Sequence, residues 1–158
     1  MKKIKSSNAP SAIGPYSQAI ISNRLVFTSG QIGLNPNTNK FESRDFESEA
    51  IQVFENISAI LIDSGSSMNR IVKINIFLTD LSNFDKLNDI MDDIFDNDKL
   101  PSRSTIEVSA LPKGAAIEVD AIAELIKWFL WNILFYLFFL LLFYLFIYPK
   151  FATKLWAN

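Results

Sequence analysis

Neither cysteine nor histidine occurs among the 158 residues. Without cysteine there is no disulfide, no thiolate nucleophile and no dithiol redox pair, which is compatible with a reducing compartment. Without histidine, the side chain whose charge changes nearest neutral pH is missing, and so is any His-dependent triad. Together the two absences leave only carboxylates for zinc, a poor ligand set, so no metal is expected. Basic charge is also scarce. Residues 1–124 hold 12 Lys and Arg against 17 Asp and Glu, a net charge of −5. Attraction to phosphate drives most nucleic-acid affinity, so an acidic domain with no basic stripe is not expected to bind nucleic acid. The start, Met1-Lys2-Lys3-Ile4-Lys5-Ser6, is charged but has no apolar run behind it and does not read as a secretory signal. Chemistry is left to Arg, Lys, Tyr, Ser, Thr, Asp, Glu, the backbone and water.

The hydropathy pattern predicts an α+β domain. Residues 24–32 (RLVFTSGQI) are β-branched and apolar behind the turn signal Ser22-Asn23, with 16–21 as a hairpin partner. Phe46, Ala50, Val53, Phe54, Ile57 and Leu61 recur at helical spacing, so 46–62 reads as an amphipathic helix that Gly65 ends. Residues 70–79 alternate, with Val72, Ile74, Ile76 and Leu78 on one face and Lys73, Asn75, Phe77 and Thr79 on the other. Ser82 and Asp85 resemble a capping box ahead of a second helix that buries Phe84, Leu87, Ile90, Met91, Ile94 and Phe95. Two more strands, 104–108 and 117–123, are joined through Leu111-Pro112-Lys113-Gly114. The expected order is β-β-α-β-α-β-β, a single sheet with two helices packed on one face. Phe77 and Ile122 point away from that face, and oligomerisation through the sheet is the simplest way to cover them.

Three places could carry chemistry: Gly14-Pro15-Tyr16, Thr28-Ser29-Gly30-Gln31 at a strand end, and Pro101-Ser102-Arg103-Ser104 with Glu118 on the last strand. The planar, permanently charged guanidinium of Arg103 can grip a carboxylate through two parallel hydrogen bonds. Glu118 can orient and deprotonate water. The pair suits a small acid attacked by water. The same residue types also describe a solvated cross-strand pair, with Tyr16 packing and Ser29-Gly30 turning the chain.

The ordered motifs narrow this. Ala12-Ile13-Gly14-Pro15-Tyr16-Ser17-Gln18-Ala19, Thr28-Ser29-Gly30-Gln31-Ile32, Leu34-Asn35-Pro36, Phe77-Leu78-Thr79-Asp80-Leu81, Pro101-Ser102-Arg103-Ser104 and Ile117-Glu118-Val119-Asp120-Ala121-Ile122-Ala123 follow one another without a large gap. In this series residues 6–124 resemble the Rid family (YjgF/YER057c/UK114). The resemblance implies a chorismate-mutase-like α+β domain that forms a homotrimer with sites at its subunit interfaces. It implies hydrolysis of reactive 2-imino acids and their enamines, such as 2-iminobutanoate and 2-iminopropanoate, to 2-oxo acids and ammonia. These are by-products of pyridoxal-phosphate enzymes. No metal or organic cofactor is implied. Arg103 matches the family's carboxylate-binding arginine and Glu118 its water-positioning glutamate. Tyr16, Ser29 and Gly30 match residues lining the pocket. Thr105 stands where several members have Cys, and Val119 where Ile or Met is commoner. Two alternatives stand beside this: RNA cleavage with translation inhibition, an activity also attributed to some family members, and a non-catalytic small-molecule-binding or chaperone-like module.

The tail differs. Residues 125–158 contain Lys127, Lys150 and Lys154 and no acid, and 128–148 carry no charge and one strongly polar side chain, Asn132. As a helix those residues would span about 32 Å, with Trp128, Trp131, Tyr144 and Tyr148 near its ends. The expectation is a deaminase domain over 1–124, cytoplasmic and tail-anchored through a transmembrane helix at 128–148. The alternative is an extension added by read-through or fusion.

Overall fold

The computed structural model describes residues 1–126, 138–140 and 143. The chain divides into two compact units, Met1–Ile126 and Lys127–Asn158. The first contains β1 (Lys2–Ile4), β2 (Ala19–Ser22), β3 (Leu25–Thr28), β4 (Gln31–Ile32), α1 (Phe46–Asp63), β5 (Ile71–Leu78), α2 (Phe84–Ile94), β6 (Ser102–Glu107) and β7 (Ile117–Glu124). The strands form one mixed sheet in the order β1-β2-β3-β7-β5-β6, and the short β4 extends the pairing along β7. β7 is antiparallel to both β3 and β5, whereas β5 and β6 are parallel. A parallel pair needs a long crossover, which α2 supplies.

Local chemistry sets the helix ends. Asp45 caps α1 by accepting from the Ser48 N–H, and the Ser43 hydroxyl followed by that N–H lowers its carboxyl to about 2. At the other end Gly65 takes φ +80°, while its N–H and that of Ser66 donate to Ile62 and Leu61. This double bond is the Schellman closure, and it favours a residue without Cβ at that position. The predicted stripe of α1 is buried, and Ile117, Val119, Ala121 and Ala123 of β7 face it.

Three local expectations change. A β-bulge between Ile71 and Lys73 turns Val72 outward, so the residue expected in the apolar row is exposed and Ile71 is buried instead. Ser82 is not a helix cap. Asp80 accepts from the Ser82 N–H and starts a 3-10 turn, and α2 begins at Phe84 with no side-chain cap. The hairpin pairs only Ala19–Ser22 with Leu25–Thr28, turning through Asn23 and Arg24 at φ 48° and 68°. Residues 16–18, expected within the first strand of the hairpin, are loop.

The expectation for the tail is also corrected. Among the described residues no helix is long and apolar enough to cross a membrane. Of the stretch 128–148, only 138–140 and 143 are described, as helical residues. The rest of that stretch lies outside the described residues. The unit Met1–Ile126 is an α+β domain with one sheet and two α-helices, and the described residues show no transmembrane helix to anchor it.

Candidate active site

The end of β3, the turn into β4 and the start of β7 converge on a cleft of about 290 Å³. Its lining includes Pro10, Tyr16, Ser29, Gly30, Pro112 and Glu118. Four of the five residues singled out from the sequence therefore share one cavity.

Gly30 explains the most intimate contact. A Cβ on Gly30 would lie 2.0 Å from Oε1 of Glu118 and 2.8 Å from its Cδ. The carboxylate rests directly on the Gly30 backbone, which only a residue without a side chain permits. Burial raises the pKa of Glu118, and the charge of Asp120 on the same face of β7 adds to that rise. Gly30→Ala must push the carboxylate aside. Turnover at this cleft is expected to fall by about a hundredfold, the loss that a misplacement near 1 Å can cause. Circular dichroism of the variant should be unchanged, and wild-type turnover by Gly30→Ala would refute the cradle.

Ser29 is held on both sides: its hydroxyl donates to the Ser17 carbonyl at 2.7 Å and its N–H to the Gln18 carbonyl at 2.9 Å. Tyr16 is half exposed at the cleft mouth, with its hydroxyl accepting from the Ile13 N–H. The sequence reading missed Gln18 as a structural part of the site. Its buried amide donates to the carbonyls of Ser6, Ala9 and Pro10 and accepts from the Ser6 N–H. It thereby clasps the loop that forms one cleft wall. A Gln immediately before an apolar strand was the available signal.

Glu49 was also missed. It is buried on α1, and its carboxylate accepts the Ala116 N–H at 2.8 Å, two residues before Glu118. Burial raises its pKa, partly offset by the N–H groups of Ala116 and Ile117. A carboxyl raised in the folded chain costs stability as pH climbs through its range, and the full cost applies above the folded value. Glu49→Gln keeps an accepting oxygen and removes the ionisation. It should melt above wild type at about pH 8, and the gap should close toward about pH 4. An equal gap at both pH values, read by calorimetry, would exclude this account.

Arg103 lies elsewhere. It pairs in register with Ile74 of β5, and its side chain lies on α2, donating to Asn88 Oδ1 at 2.9 Å. Glu118 pairs with Phe77 of β5 and alternates with the helix-facing Ile117 and Val119. The two residues thus sit on opposite faces of the sheet with β5 between their strands, a lateral separation of about 10 Å. One chain does not bring them together.

The site is thus a cleft at a strand end that holds one carboxylate, on a mixed sheet of an α+β domain. A family model described as Endoribonuclease L-PSP matches residues 6–125, and the chain belongs to this family, the Rid (YjgF) family. The chain is 42% identical over 114 residues to the 2-iminobutanoate/2-iminopropanoate deaminase of Dermatophagoides farinae, covering 72% of this chain and 88% of that protein. RidA from the Antarctic bacterium Psychrobacter sp. PAMC 21119 superposes with a TM-score of 0.76 at 40% identity, covering 79% of this chain and 100% of that one. TdcF of E. coli, solved with bound serine, gives a TM-score of 0.74 at 37% identity, covering 78% and 98%.

Proposed function

We propose that this chain hydrolyses small 2-imino acids and their enamine tautomers to 2-oxo acids and ammonia. The observation that carries the reading is the Glu118 carboxylate seated on the Gly30 backbone inside a cleft of about 290 Å³, with its pKa raised by burial. A carboxylate so placed can orient water onto an iminium carbon and take up its proton. The water oxygen becomes the oxo group, the carbinolamine collapses, and nitrogen leaves as ammonia with the transferred protons. Relatives named as deaminases and a relative with bound serine support a small amino-acid-like ligand.

Arg103 is assigned to the substrate carboxylate. In a 2-imino acid the carboxyl carbon is bonded directly to the imine carbon, so the guanidinium and Glu118 must lie within a few ångströms of adjacent atoms. Because one chain separates them, Arg103 comes from a second copy. The homotrimer that the family resemblance implies provides such a copy, with each site shared between neighbours. Phe27 and Ile106 lie exposed on the helix-free face of the sheet, where a second copy would cover them. The net charge of −5 over residues 1–124 weighs against RNA as substrate. The test is direct. A pyridoxal-phosphate threonine dehydratase generates 2-iminobutanoate, and the protein should accelerate 2-oxobutanoate release. No acceleration at any protein concentration would overturn the proposal.

A further inference from the structure

Arg103 is built into a collar that the assigned reaction does not by itself require. Phe84, Asn88 and Met91 fall at i, i+4 and i+7 of α2 and so share one stripe of that helix. Each touches Arg103. One terminal nitrogen, Nη1, donates to Asn88 Oδ1 at 2.9 Å and contacts Met91 Sδ at 3.3 Å. The guanidinium carbon lies 5.2 Å from the centroid of the Phe84 ring, within cation–π range. Met91 is buried and Asn88 half-buried, so the collar is fixed by the core.

These contacts use one corner and one face of the guanidinium. Among the described residues nothing bonds to its Nε–Nη2 edge. That edge is a two-donor fork matching the spacing of a carboxylate's oxygens. An arginine free to rotate would present any of its edges and would lose rotamer entropy on binding, whereas one already held presents a single edge.

We propose that Asn88 is a positioning residue, which by holding Nη1 turns the Nε–Nη2 edge of Arg103 toward the substrate carboxylate. The proposal rests on the assignment of Arg103 to that carboxylate. It adds that the grip depends on an α2 residue that need not touch substrate, and that the ligand it favours carries a planar, two-oxygen anion.

The test is a double-mutant cycle on the full chain, with Asn88→Ala and Arg103→Lys as the two changes. Lysine keeps the charge and has no fork for Asn88 to orient. Alanine favours the helix, so α2 should persist, and melting curves check that. Asn88→Ala is expected to lower kcat/KM for 2-iminobutanoate by about tenfold, chiefly through KM. In the Arg103→Lys background the same change should cost less than about twofold. Equal losses in both backgrounds would overturn the proposal, because Asn88 would then act on the fold. An unchanged kcat/KM for Asn88→Ala, alongside a loss for Arg103→Lys, would overturn it alone. Full activity of Arg103→Lys would instead remove the reading on which it rests.

Discussion

Glu118→Gln is expected to reduce kcat for 2-iminobutanoate hydrolysis by about a thousandfold, within the range that general-base groups contribute. The amide is isosteric and can still lie on the Gly30 backbone, so the cleft should keep its shape. It cannot accept the proton that water loses on attacking the imine carbon. The loss should fall on kcat, since Glu118 is not assigned to hold the substrate carboxylate. A pH profile adds a second check. The base works when ionised, and burial with the nearby Asp120 charge raises its pKa. The acidic limb of kcat should therefore lie above the ordinary carboxylate range of about 4. Asp120→Asn removes the like charge and should move that limb downward. An acidic limb at the ordinary value, or wild-type kcat in Glu118→Gln, would remove Glu118 from the role of base.

The parts of the domain legible in the sequence are those whose periodicity reflects burial. The α1 stripe from Phe46 to Leu61 and the alternation of β7 were readable because each element has one wet and one dry face. β1 was not readable. Two of its three residues are exposed lysines, and its pairing with β2 identifies it as a strand. The outward turn of Val72 arises from a bulge, a property of pairing rather than of composition. Gln18 and Glu49 escaped for a related reason: their partners lie 8 to 12 and 67 residues away, so no local pattern marks them. The cleft residues Tyr16, Ser29, Gly30 and Glu118 stood out as local features, resemblance gave them roles, and geometry then supplied the physical reason for Gly30. The relation of Arg103 to Glu118 was the least legible feature. It depends on β5 lying between β6 and β7 and on register parity, and a one-residue slip would reverse the faces.

That parity gives the second large effect. Arg103→Ala should lower kcat/KM for 2-iminobutanoate by at least about a hundredfold, because the substrate carboxylate loses a charge-assisted pair worth about 3 kcal/mol. More tellingly, the Arg103→Ala and Glu118→Gln chains, each nearly inactive, should regain activity when refolded together. If Arg103 of one copy faces Glu118 of another, some mixed sites draw an intact arginine from one parent and an intact glutamate from the other. With equal amounts and random assembly into a closed ring, about a quarter of the sites are complete. Recovery should therefore approach about a quarter of wild-type turnover per chain. A site confined to one chain gives no recovery at any ratio, since every chain then carries one defect. Simple mixing without refolding is the control, and it should stay inactive while subunits do not exchange. Ammonia release from the mixed protein thus reads out whether the opposite-face placement of the two residues is resolved by a neighbouring copy.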